Sequence, residues 1–142
     1  MTETMVLHFT IEQANGTLPL VRRIVSDLLA LHPRWRAAVV AFESEQAAVT
    51  ALGETEAARL ARLAAGQLAG EIESCLEELE QVGCVFKGFD AGLVDFPSLL
   101  DGREVYLCWQ YDEPRVEHWH EIDGGFAGRQ PLDPFHFPAE QT

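Results

Sequence analysis

His118 and His120 stand as His-x-His within the segment His118-Trp119-His120-Glu121. On an extended strand a spacing of two puts both imidazoles on one face, within reach of a single transition metal. Glu121 then points to the other face and needs a twist or bulge to join them. A third ligand has to come from elsewhere, either His32 or a carboxylate. The competing reading is two core-edge histidines, hydrogen-bonded to backbone or to helix carboxylates. A second set is Asp95, Arg103, His120, Glu121 and Arg129, expected at one end of a sheet. Arginine forks read carboxylates or phosphates, and a histidine beside a carboxylate is the commonest acid–base pair. In that set His120 and Glu121 are the candidates for proton transfer, and Asp95, Arg103 and Arg129 those for ligand binding. Turn and sheet-end salt bridges account for the same residues more simply. Gly124 to Arg129 could present N–H groups to an anion. It carries no Walker or dinucleotide spacing, and a loop that turns the chain explains it. Cys108 shares its expected face with no histidine, so it reads as a small sheet residue rather than a nucleophile.

These residues depend on one β-hairpin. Arg103 to Tyr111 alternates and is rich in Val, Tyr, Leu and Trp, which suits a half-buried strand. Asp112 to Arg115 reads as the turn and Val116 to Ile122 as the return strand. With Tyr111 opposite Val116, Trp109 faces His118, Leu107 faces His120 and Val105 faces Ile122. That face is the more apolar and is assigned to the core, with both imidazoles at its buried edge. The other face carries Tyr106, Cys108, Gln110, Glu117, Trp119 and Glu121.

The hairpin needs a scaffold, and the earlier chain supplies one. Met5 to Phe9 reads as a short strand. Thr10 with Gln13 forms a capping box, Asn15 and Gly16 interrupt the helix, and Pro19 opens a second, longer one. Val21, Leu28, Trp35, Phe42 and Val49 recur as a coiled-coil-like seam that keeps its phase across Pro33, so a kink is expected there rather than a break. Gly53 ends this helix. The next runs from Glu54 to Val82, with Gly83 as its C-cap. As antiparallel neighbours, facing residues have numbers summing to about 106. Leu31 then meets Cys75, Phe42 meets Ala64, and Trp35 lies over Gly70. Arg22 and Arg23 fall near Glu78 and Glu80, Arg34 and Arg36 near Glu71 and Glu73, and Arg62 near Glu43 and Glu45. Glu71 to Glu80 reads as a solvated helix face. Strands follow at Cys84–Phe89 and Leu93–Phe96, the second stopped by Pro97, and Asp101-Gly102 turns into the hairpin. The expectation is one α+β domain over 1–142. A helical hairpin spans 17–82, a four-stranded antiparallel meander 84–122, and an extended tail 123–142.

Composition bounds the function. The chain has 142 residues, 47% hydrophobic and 23% charged, in the range of soluble globular proteins. Ten basic against twenty-three acidic residues give a net charge of −13, which argues against nucleic acid or an anionic membrane as partner. No apolar run approaches about 18 residues, and no basic-then-apolar start is present, so neither a membrane span nor a signal peptide is expected. Cys75, Cys84 and Cys108 form no CxxC, which suits a reduced, cytoplasmic chain. Leu20, Leu29 and Val40 lie outside the seam, more apolar surface than one partner helix covers. A homodimer through the helical hairpins is therefore expected.

The stretches FTIEQAN, LPLVRRIV, GLVDFP, GREVYLCW and WHEIDGGFAGRQPL together resemble a bacterial family known as domain of unknown function 2203. They cover both ends of the scaffold and nearly all of the sheet. The helical middle carries little of the likeness. In that family the hairpin turn is usually rich in Gly and Glu, and an aromatic is usual where this chain has His118. The resemblance implies a bacterial cytosolic protein and supplies no activity. Two readings follow. One is a non-enzymatic module that assembles through its hairpin and presents the sheet to a partner. The other is a small metal- or anion-dependent enzyme with its site around His118, His120, Glu121 and Arg129.

Overall fold

The first helix, α1, begins at the expected capping box and then runs without interruption from Ile11 to Gln46. The computed structural model describes residues 7–47 and 53–132. Thr10 accepts a hydrogen bond from the Gln13 amide, and the Gln13 side chain accepts one from the Thr10 amide. Asn15-Gly16 does not break the helix, and Pro19 does not open another. The buried stripe Ala14, Leu18, Val21, Val25, Leu28 steps by four and three straight across both. Burying that stripe against the sheet outweighs roughly 1 kcal/mol for one glycine and the loss of one helix hydrogen bond at Pro19. Pro33 also lies inside α1, with continuous helix on either side.

The second helix, α2, spans Glu56–Val82. Thr55 caps its first turn, accepting from the Ala58 amide. Gly83, with φ of 105°, closes it by donating to the Leu79 and Glu80 carbonyls. α1 and α2 pack as a hairpin. Asp27, Leu31 and Arg34 line one surface hollow with Glu71, Ser74 and Cys75, in keeping with the expected register. Two of the expected charge pairings are replaced by other contacts. Arg62 forks onto Glu54, and Arg22 donates to the Glu113 and Pro114 carbonyls. The seam positions Val49 and Leu52 lie outside the described residues.

Among the described residues five antiparallel strands follow in sequence order: β1 Val85–Gly88, β2 Leu93–Leu100, β3 Arg103–Gln110, β4 His118–Glu121 and β5 Gln130–Pro131. The architecture is α+β, as expected. Three details differ. Pro97 does not stop β2, because among the described residues β1 pairs only with Leu93 to Asp95, so no neighbouring strand asks Pro97 for a donor on that side. Proline needs no donor there, and its carbonyl accepts from the Phe9 amide. Leu7 to Phe9 form no strand, yet Phe9 seals the same edge, its carbonyl accepting from the Ser98 hydroxyl. Residues 1–6, with the rest of the expected first strand, lie outside the described part. Finally, the tail is not simply extended: a short 3-10 turn at Phe126–Gly128 leads into β5. Residues beyond Leu132 are outside the described part.

The register of the last hairpin is the consequential difference. Leu107 pairs with Trp119, not His120, and Cys108 pairs with His118. Return-strand residues are displaced by one, because the connection runs from Tyr111 to Glu117 and is not a tight turn at Asp112–Arg115. A one-residue slip exchanges the two faces of a strand. Trp119 therefore joins Val94, Phe96, Val105, Leu107 and Trp109 on the face that meets the helices. His118 and His120 go to the opposite face, beside Cys108 and Tyr106. Ile122, expected in the core, is half-exposed.

Candidate functional site

The outer face of the sheet gathers Asp95 from β2, Cys108 from β3 and His120 from β4. Asp95 pairs directly with Cys108, and His120 stands diagonally across from it, opposite Tyr106. All three are buried, at 3%, 1% and 2% exposure. Loop residues after β4 close over them. Lys87, Leu93, Ile122, Gly125 and Phe126 complete a cavity of about 280 Å³ that has the three polar side chains in its wall. Ligand atoms of Asp95, Cys108 and His120 all lie within 4.8 Å of one another.

Hydrogen bonding fixes the imidazole. His120 Nδ1 lies 2.6 Å from the Glu121 carbonyl, and Nε2 lies 2.9 Å from Asp95 Oδ1. A carbonyl only accepts, so Nδ1 carries the hydrogen. An ionised carboxylate also only accepts, whereas a neutral imidazole has one N–H. The arrangement thus calls for one more positive charge: a second ring proton, a proton on Asp95, or a cation at Nε2. Beside it, burial pushes the Cys108 thiol up to about 12, with Asp95 adding to the effect and Arg129 opposing it. Without a cation to favour the thiolate, Cys108 is a poor nucleophile. The set can hold a proton or a soft-to-borderline metal, and it lacks an activated attacking group.

Arg129 anchors a second cluster. One of its terminal nitrogens donates to Glu113 Oε1 at 2.5 Å and approaches His118 Nδ1 at 3.1 Å and the Cys108 carbonyl at 3.4 Å. Its guanidinium also covers the Phe126 ring, 4.9 Å away. His118 Nδ1 serves as an acceptor here. Glu113 in turn accepts from the Gln110 amide. The cluster ties the last loop, whose Phe126 lines the His120 cavity, to the turn after β3.

The remaining sequence candidates are placed apart. Arg103 and Glu121 form an exposed fork, with contacts of 3.2 and 2.7 Å, on the face opposite His120. His32 stacks on Phe89 at 3.9 Å between ring centroids and on Trp35 at 5.9 Å, at the first β-turn. His118 accepts from Arg129, with Glu113 Oε2 3.4 Å away, and the three histidines do not converge. Of the expected polar set only Asp95 and His120 meet. The earlier face assignment hid Cys108, which shares its face with both histidines of the strand. The signal that points to it is Pro114 at the third position of the supposed turn, which disfavours a tight connection. Asn15 was also missed. Its Oδ1 accepts from the Val116 amide at 2.8 Å and its Nδ2 reaches the Val116 carbonyl at 3.5 Å, holding the long connection against α1.

No helix among the described residues is long and apolar enough to cross a membrane. The profile of a family described as "Uncharacterized conserved protein (DUF2203)" matches residues 8–132, and the chain belongs to that family. No curated protein and no solved structure matches the chain.

Proposed function

We propose that this member of an uncharacterised family is a cytoplasmic assembly module, in which two copies join through their helical hairpins and present their sheets to a further partner. The observation that carries the reading is the uncovered arm. Past Leu28, α1 buries no described residue fully, and along α2 only Ala58, Leu68 and Leu79 are buried. Val40, Leu60 and Leu63 stand exposed on this arm. Two helices alone form no closed core, and a second hairpin supplies the missing layer as a four-helix bundle.

Charge favours a second copy as the occupant. Arg36, Val40 and Glu43 follow i, i+4, i+7 spacing and share one face of α1. An antiparallel crossing of two α1 helices centred on Val40 sets Arg36 of one copy beside Glu43 of the other, twice by symmetry. Such local pairing is what two chains of net charge −13 require in order to approach.

Light scattering on the intact chain at micromolar concentration should give a dimer. Val40→Glu should give a monomer with unchanged helix content. Arg36→Glu and Glu43→Arg should each weaken the dimer, and the double reversal should restore it. A wild-type monomer under these conditions overturns the reading.

A further inference from the structure

We infer that Asp95, Cys108 and His120 form a site for one borderline divalent transition metal of the zinc type, with its fourth coordination position open to the cavity. The inference is independent of the dimer.

The donor set is the first argument. One imidazole nitrogen, one carboxylate oxygen and one thiol sulfur are ligands that a tetrahedral zinc-type ion accepts, and three protein ligands with one open position are the usual form of a reactive site. The three atoms come from three neighbouring strands, so the backbone ladder fixes their spacing. With metal–ligand distances of about 2.0–2.3 Å, tetrahedral ligands stand roughly 3.3–3.8 Å apart. Here the atoms lie within 4.8 Å of one another, so side-chain rotations of about 1.5 Å or less complete the geometry.

The outer ring of contacts is the second argument. His120 Nδ1 donates to the Glu121 carbonyl, which commits Nε2 to the site. A metal-bound histidine is held in this way by a partner on its other nitrogen. With the Glu121 carbonyl taking the Nδ1 hydrogen, a cation at Nε2 is one of the three arrangements that satisfy the hydrogen count above. Charge balances on exchange. A set with a protonated ring, an ionised carboxylate and a neutral thiol has no net charge. One divalent ion that displaces the ring Nε2 proton and the thiol proton gives the same net charge, with two protons released to solvent. No uncompensated charge is then buried.

Access is the third. The cavity beside the three ligands is about 280 Å³, with Lys87 among its lining residues. Lys87 Nζ lies 5.8 Å from the centre of the Tyr106 ring. The open coordination position therefore takes water or a small anionic donor, with a cation beside it.

The test uses tag-free intact protein, stripped with a chelator and dialysed against Zn²⁺ or Co²⁺. About one ion per chain is expected by elemental analysis. The Co²⁺ form should show a thiolate-to-cobalt charge-transfer band together with the intense visible bands of a tetrahedral ion. Cys108→Ser should remove the charge-transfer band, and Cys75→Ser should leave it unchanged. Asp95→Asn and His120→Ala should weaken binding by about ten- to a hundredfold or more. Substoichiometric metal in the wild type, or a Co²⁺ spectrum without the sulfur band, overturns the inference, and neither readout depends on a variant folding. Undiminished binding in His120→Ala also overturns it.

Discussion

Strands β2, β3 and β4 bury both of their faces, and they do so by opposite means. On the helix side Val94, Phe96, Leu107, Trp109 and Trp119 meet the stripe of α1 in an apolar core. On the other side Asp95, Cys108 and His120 are buried to the same degree, under a short loop rich in glycine. The residues alternate along one backbone, Val94 next to Asp95 and Leu107 next to Cys108. Apolar burial stabilises in proportion to area, whereas polar burial is neutral at best and only when every group finds a partner. The first face therefore serves the fold. The second adds little stability of its own, which makes a site the better account of it.

Trp109→Ala tests the first half of this contrast and should have the largest effect. Trp109 is fully buried, its Nε1 donates to the Glu113 carbonyl, and Arg22 lies over its ring. The loss should be about 3–5 kcal/mol by chemical denaturation. A loss below about 1 kcal/mol would mean that the helix-side face does not carry the fold. Asp95→Asn in metal-free protein should cost about 1–3 kcal/mol, because the His120 hydrogen bond loses its charged acceptor. A double-mutant cycle with His120→Gln should show coupling, and simple additivity would break the proposed pairing.

The thiols sharpen the contrast further. Cys84 lies in the helix-side core and Cys108 on the outer face, and burial pushes both up to about 12 from an ordinary 9.0. A folded-state value above the unfolded one means stability is intact below pH 9 and is lost as pH rises towards 12. Cys84 should contribute up to about 1.4 kcal/mol of loss per pH unit in that window. Cys84→Ala should remove that share of the alkaline decline, read from denaturation midpoints between pH 8 and 10. Smallest is Arg103→Ala. Both members of its fork with Glu121 are about half exposed, at 52% and 42%, so the change should be under about 0.5 kcal/mol. A larger loss would place this pair, and not the buried face, among the groups that matter.

Features set by neighbours in the chain were legible in the sequence. The Thr10–Gln13 box starts α1, Gly83 ends α2, and Asp101-Gly102, with φ of 52° and 79°, makes the tight turn between β2 and β3. Gly92 shows the same economy: at φ of +63° a Cβ there would stand 2.9 Å from the Tyr111 Cβ, so only glycine fits. Features set by distant partners were not legible. Whether Pro97 ends a strand depends on how far β1 extends, and whether Asn15 breaks a helix depends on Val116. The register of β4 follows from the same contact, since the Asn15 clamp keeps Val116 out of the strand. Asp95 and His120 were named as candidates, but their meeting with Cys108 could be seen only once that register was known.

The Asn15–Val116 clamp joins residues 101 positions apart, and the Phe9–Ser98 bond joins residues 89 apart. Closing such long loops costs entropy before any contact rewards it, which slows folding. During synthesis Leu18, Val21, Ile24 and Val25 emerge before the strands that cover them in the finished fold. Only when Val116 has left the ribosome can the first helix be sealed by the last hairpin. For that interval the nascent protein offers an apolar stripe to chaperones, and to other nascent copies of itself.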